Sequence, residues 1–134
     1  AFGAGTQTSA IFAGGTTSPT ETAAEEYNGS AWTTTGSLVV GTKGASCAGA
    51  DSDSALFVSG GNGNQPSGVA ETQIYNGTVF VTAPQLASER GYAAGFGIAT
   101  SAVVAGGLRS SGVTTTEEFT GETSALNVEN ITDS

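Results

Sequence analysis

Asp51-Ser52-Asp53-Ser54 sets two carboxylates two residues apart, each followed by a hydroxyl, a pattern that could reach for calcium. A calcium loop needs about six oxygen ligands or more, and EF-hand spacing is absent, so the run reads as a solvated turn. Glu25-Glu26 and Glu117-Glu118 could supply paired carboxylates for glycoside chemistry. Neighbours on a strand point to opposite faces, however, and copy two has Gln73-Ile74 in their place. Cys47 stands alone among small residues and there is no histidine, so neither a zinc site nor a Cys-His nucleophile can be assembled. Cys47 reads instead as a small buried hydrophobe. Asn28-Gly29-Ser30, Asn76-Gly77-Thr78 and Asn130-Ile131-Thr132 fit the glycosylation sequon, but the first two serve equally as turns. Arg90 and Arg109 lie beside glycines in loops, where either could hold a carboxylate bidentately. No catalytic residue, cofactor or metal is expected.

Three runs position these residues. Ser9-Ala10-Ile11-Phe12-Ala13-Gly14-Gly15, Ser54-Ala55-Leu56-Phe57-Val58-Ser59-Gly60-Gly61 and Ser101-Ala102-Val103-Val104-Ala105-Gly106-Gly107 each end in a glycine pair, at a constant interval of 46 residues. A period in the 40s with β-rich units points to a propeller or another stacked array. Upstream of each pair is a small-residue strand and a turn. Downstream is a polar loop, then a hairpin through Asn28-Gly29, Asn76-Gly77 or Thr120-Gly121. Asn-Gly between strand-like runs signals a two-residue type I′ turn, with positive φ at both residues. Each period therefore holds four short strands, placed in the middle copy at 44–50, 55–59, 70–75 and 78–82. Helical periodicity is absent and Thr and Val dominate. The blades run over 1–40, 41–85 and 86–134. The register starts the chain inside a strand, which points to a segment of something longer.

These residues resemble the kelch repeat of kelch-type β-propellers. The carriers are Gly14, Gly15, Tyr27 and Trp32, then Gly60, Gly61, Tyr75 and Phe80, then Gly106, Gly107 and Phe119. Phe80 stands where copy one has Trp32, and copy three has no Trp equivalent. The phrases ending in Gly14-Gly15 and running from Glu25 to Trp32 are similar to the simplified kelch-like repeats of bacteriophage structural and tail proteins. The resemblance implies an all-β fold, a kelch-like β-propeller segment of about three four-stranded antiparallel blades. It also implies a structural or host-attachment role on a virion or extracellular surface. In such a fold Tyr27, Trp32, Tyr75, Phe80 and Phe119 are expected to fill the space between blades, with loss of Trp32 hurting packing.

Composition limits the partners. Three basic residues against twelve acidic ones give a net charge of −9, so no track for a phosphate backbone exists. No apolar stretch approaches the roughly 20 residues of a membrane-spanning helix. Three blades do not close a ring of about four to eight, so the expected partners are further blades of a longer chain or further copies of this one. The longer loops, 16–21, 36–42, 62–69, 83–90 and 108–113, share one rim. Asn62, Asn64, Gln65, Arg90 and Arg109 on that rim are the candidate contacts for a surface glycan or protein receptor. The alternatives are a propeller enzyme with its catalytic groups in other blades, and a cellular kelch adaptor.

Overall fold

A computed structural model describes residues 1–16, 20–60, 69–120 and 128–131. Those residues form twelve strands in three antiparallel sheets, each a meander in chain order. Blade 1 holds β1 (Phe2–Gly5), β2 (Ala10–Ala13), β3 (Ala24–Tyr27) and β4 (Trp32–Thr34). Blade 2 holds β5 (Ser46–Asp51), β6 (Ser54–Gly60), β7 (Val69–Tyr75) and β8 (Phe80–Ala83). Blade 3 holds β9 (Ala94–Ile98), β10 (Ser101–Ala105), β11 (Thr116–Phe119) and β12 (Val128–Ile131). The chain is thus an all-β, propeller-like segment of three four-stranded blades whose sheets do not close.

The first strands of successive blades lie side by side, β1 on β5 and β5 on β9. Small residues make that approach feasible. A Cβ on Gly95 would come within 2.7 Å of the Cys47 carbonyl oxygen, and one on Gly49 within 3.0 Å of the Ala4 methyl. Two apolar clusters fill the gaps between sheets. Ile11, Ala13, Ala24 and Leu38 of blade 1 and its outgoing loop meet Ala55, Phe57, Tyr75 and Phe80 of blade 2. Ala48, Leu56, Val58 and Leu86 meet Ala102, Val104 and Phe119 in the same way. Each blade therefore has an incoming face, which packs on its predecessor, and an outgoing face, which packs on its successor.

One sequence expectation about the ladders, the turn type of the hairpins, needs correction, whereas the alignment of the apolar strands stands. Strand pairing sets Ala10 opposite Tyr27, Ala55 opposite Tyr75 and Ala102 opposite Phe119, so these alanines are equivalents. From that alanine β6 takes one residue more to reach its glycine than β2 or β10 does. The difference is an irregularity between Val58 and Gly60, where β6 gains a residue before its glycine and the ladder shifts. The Asn-Gly hairpins are not two-residue type I′ turns. Gly29 and Gly77 have φ of 91° and 89°, but neither Asn has positive φ. Tyr27 pairs with Trp32 and Tyr75 with Phe80, leaving four-residue loops. The Asn28 Oδ1 accepts from the Ser30 and Ala31 amides, both at 3.0 Å, and Asn76 does the same for Thr78 and Val79. The asparagine holds the turn through its side chain, which is why β8 begins later than expected.

Of the aromatics expected between blades, Tyr75, Phe80 and Phe119 are buried. Trp32 is not: it is 52% exposed, and Phe12 beside it is 43% exposed. Both stand on the incoming face of blade 1, against which no sheet among the described residues packs. The expectation that Trp32 is a packing residue of this three-blade body is therefore overturned.

Candidate functional site

Arg90 was expected on the ligand-facing rim, and the structure places it in the interior. Its side chain is 0% exposed. The Arg90 backbone bridges to Val69, which turns the guanidinium inward beneath blade 3. There Nη1 donates to the carbonyls of Gly106 at 3.0 Å and Thr115 at 2.7 Å. Nη2 donates to the Thr115 hydroxyl at 2.9 Å and to the Glu117 carboxylate at 2.5 Å. Glu117, also 0% exposed, accepts in addition from the Ala87 amide at 2.7 Å and the Ser88 amide at 3.2 Å. A buried charge must be paired and hydrogen-bonded to be tolerated, and here each charged group meets that condition in the other. Neither is available to a ligand.

Blade 2 builds the same clamp without charge. Gln73 occupies the β7 position equivalent to Glu117 in β11, since it faces Phe57 as Glu117 faces Val104. Its Oε1 accepts from the Val39 amide at 2.6 Å and the Val40 amide at 3.2 Å, and its Nε2 donates to the Val40 carbonyl at 3.0 Å. In both cases a buried leucine, Leu38 or Leu86, precedes the clamped amides and donates its own amide to the preceding blade, at Thr22 or Ala70. A side chain on the third strand thus holds the loop that enters its blade. The alignment of Glu25, Gln73 and Glu117 was legible in the sequence; their role was not, because it depends on a loop some thirty residues upstream. Glu25, at the same position in blade 1, is exposed.

Arg109 stands in the loop between β10 and β11, with its side chain 57% exposed and 3.9 Å from the Glu89 carboxylate. An exposed pair at that separation contributes little to stability, about 0–1 kcal/mol. The two residues flank an open cleft of about 440 Å³, also lined by Ser88, Ser111 and Thr114. One cation, one carboxylate and several hydroxyls around a shallow cleft can hydrogen-bond a polar ligand. Glu89 and Ser88 escaped the sequence reading. Their signal was membership of loop 83–90, which the sequence sets on the rim without singling out either residue. Asn62, Asn64 and Gln65 lie outside the described residues.

Two further groups are accounted for by packing. The Cys47 thiol donates to the Gly3 carbonyl at 2.6 Å, and burial pushes its pKa up. Asp51, in the Asp51–Ser54 run, accepts from the Asp53 and Ser54 amides at 3.0 and 3.1 Å and so closes the β5–β6 turn.

No protein family matches the chain, and no curated protein does. Among solved structures, one titled "Structure of YjhT" is similar over 98% of this chain, with a TM-score of 0.76 at 14% sequence identity. The chain spans 44% of the length of that structure's chain. At this identity the likeness concerns the fold, and it agrees with the three-bladed, propeller-like arrangement.

Proposed function

We propose that the chain is a non-enzymatic, kelch-like propeller module of a virion or cell-surface appendage, serving structure and host attachment through its long-loop rim. The observation that carries this reading is the cleft between Arg109 and Glu89, a polar, hydroxyl-lined surface opening on that rim. The buried polar groups support it from the other side. Arg90, Glu117 and Gln73 are committed to holding backbone, so their chemistry serves architecture. Low charge and the Thr, Ser and Gly surface suit a particle exterior, and the acidic balance favours solubility.

Adsorption of the fluorescently labelled chain to bacterial cells tests the proposal, with and without periodate treatment of the cell surface. Saturable binding that drops at least tenfold in Arg109→Ala would support attachment through this cleft, and periodate sensitivity would identify a glycan receptor. Absence of adsorption, or adsorption indifferent to Arg109→Ala and to replacement of loop 62–67 by a Gly-Ser link, would refute it.

A further inference from the structure

The incoming face of blade 1 carries the aromatic cluster that blade 2 buries. In blade 2, Phe57 and Phe80 meet edge to face at 5.3 Å and 71°, and Tyr75 tilts onto Phe80 at 4.8 Å and 42°. In blade 1, Phe12 and Trp32 meet at 6.1 Å and 69°, and Tyr27 tilts onto Trp32 at 5.1 Å and 37°. The arrangement is the same, yet a cavity of about 300 Å³ opens between Phe12, Glu25 and Trp32 where blade 2 has its predecessor. At the other end of the stack, blade 3 shows an outgoing face that no sheet among the described residues covers. Phe96 is 61% exposed, and Ile98 is exposed beside it. Their neighbour Val103 is the equivalent of Leu56, which blade 3 itself buries in blade 2. Large contiguous apolar faces on a soluble chain mark interaction sites.

The two bare faces also match in detail. Where blade 1 meets blade 2, the outgoing Glu26 lies close enough to the Tyr75 hydroxyl to raise its pKa. Where blade 2 meets blade 3, the corresponding outgoing residue is Ile74, and it packs in the cluster that holds Phe119. A carboxylate thus faces a tyrosine and an isoleucine faces a phenylalanine. The outgoing residue of blade 3 is Glu118, and the incoming aromatic of blade 1 is Tyr27. The remaining pair therefore repeats the Glu–Tyr combination.

We propose that two copies of this chain associate head to tail. The outgoing face of blade 3 in each copy covers the Phe12–Trp32 face of blade 1 in the other, closing a ring of six blades. Both junctions of such a pair are identical under a two-fold axis, so the assembly closes rather than growing into a filament. Six blades fall within the range of about four to eight that propellers adopt. The inference rests on the fold and on the two faces, and is independent of the attachment reading.

Light scattering coupled to size exclusion tests it on the 134-residue chain, whose monomer mass is 13.1 kDa. The expected mass is twice that, and the emission of Trp32 should shift to the red as dilution dissociates the pair. Trp32→Asp and Phe96→Asp, both at exposed positions, should each run as folded monomers, judged by unchanged circular dichroism. Mixed together they should form a heterodimer, since one intact junction remains. A monomer at tens of micromolar with no concentration-dependent emission would overturn the proposal. So would a Phe96→Asp chain that still dimerises, which would mean that blade 1 faces pair with each other.

Discussion

At the scale of single residues, the interior polar groups obey a local logic that differs between blades. Blade 3 holds its entering loop with a carboxylate and neutralises it with Arg90; blade 2 uses the amide of Gln73, and the residue equivalent to Arg90 there is Thr42. Arg90→Thr alone should strand the Glu117 carboxylate and lower stability by about 3–5 kcal/mol in urea unfolding. Adding Glu117→Gln converts blade 3 to the chemistry of blade 2 and should recover much of that loss. If the double variant were no more stable than the single one, charge burial would not be the reason Arg90 is there. Tyr75 supplies a pH signature. Burial, then the nearby Glu26 carboxylate, raise its pKa above the ordinary 10.0, against a smaller opposing effect of its hydrogen bond with Thr35. The folded state thus holds the phenol proton more tightly than the unfolded state does. That stability is fully present below the unfolded pKa near 10 and is lost as pH rises through the folded value. Thermal melts of the wild type should therefore fall more steeply above pH 10 than those of Tyr75→Phe.

At the scale of elements, glycines decide where one blade gives way to the next. Gly60 has φ of 143°, and a Cβ there would lie 2.1 Å from the Thr42 hydroxyl and 2.7 Å from the Lys43 carbonyl, in the loop entering blade 2. Gly112 has nothing within 4 Å of a built Cβ. Gly60→Ala should accordingly cost several kcal/mol, on the order of 3, while Gly112→Ala stays within about 0.5 of neutral, as denaturant midpoints would report. The glycine pairs were the clearest signal in the sequence because this close crossing recurs in each blade. Four strands per period and their order were legible for the same reason. The one-residue irregularity in β6 was not, since an added residue next to a glycine leaves the glycine spacing intact. Nor was the inward turn of Arg90. Its sequence neighbours Glu89 and Gly91 look like rim, and only the backbone bridge to Val69 fixes its direction.

At the scale of the whole molecule, stability comes from sheets that touch face to face and from loops that are held as they pass between them. Burying Phe57, Tyr75, Phe80 and Phe119 contributes roughly 2–3 kcal/mol each, and the clamps set the register in which those rings meet. Trp32 shows the limit of reading packing from residue type. Its partners across the strands match those of Phe80, but burial depends on whether a further sheet covers it. Third-strand side chains lock the entering loops, and amide hydrogen exchange reads that lock residue by residue. The amides of Val39, Val40, Ala87 and Ser88 lie outside any strand, yet they should exchange at least a hundredfold more slowly than unprotected amides. Gln73→Leu should release Val39 and Val40 while leaving Ala87 and Ser88 protected. Free exchange at all four sites in the wild type, or protection at Val39 and Val40 that survives Gln73→Leu, would contradict it.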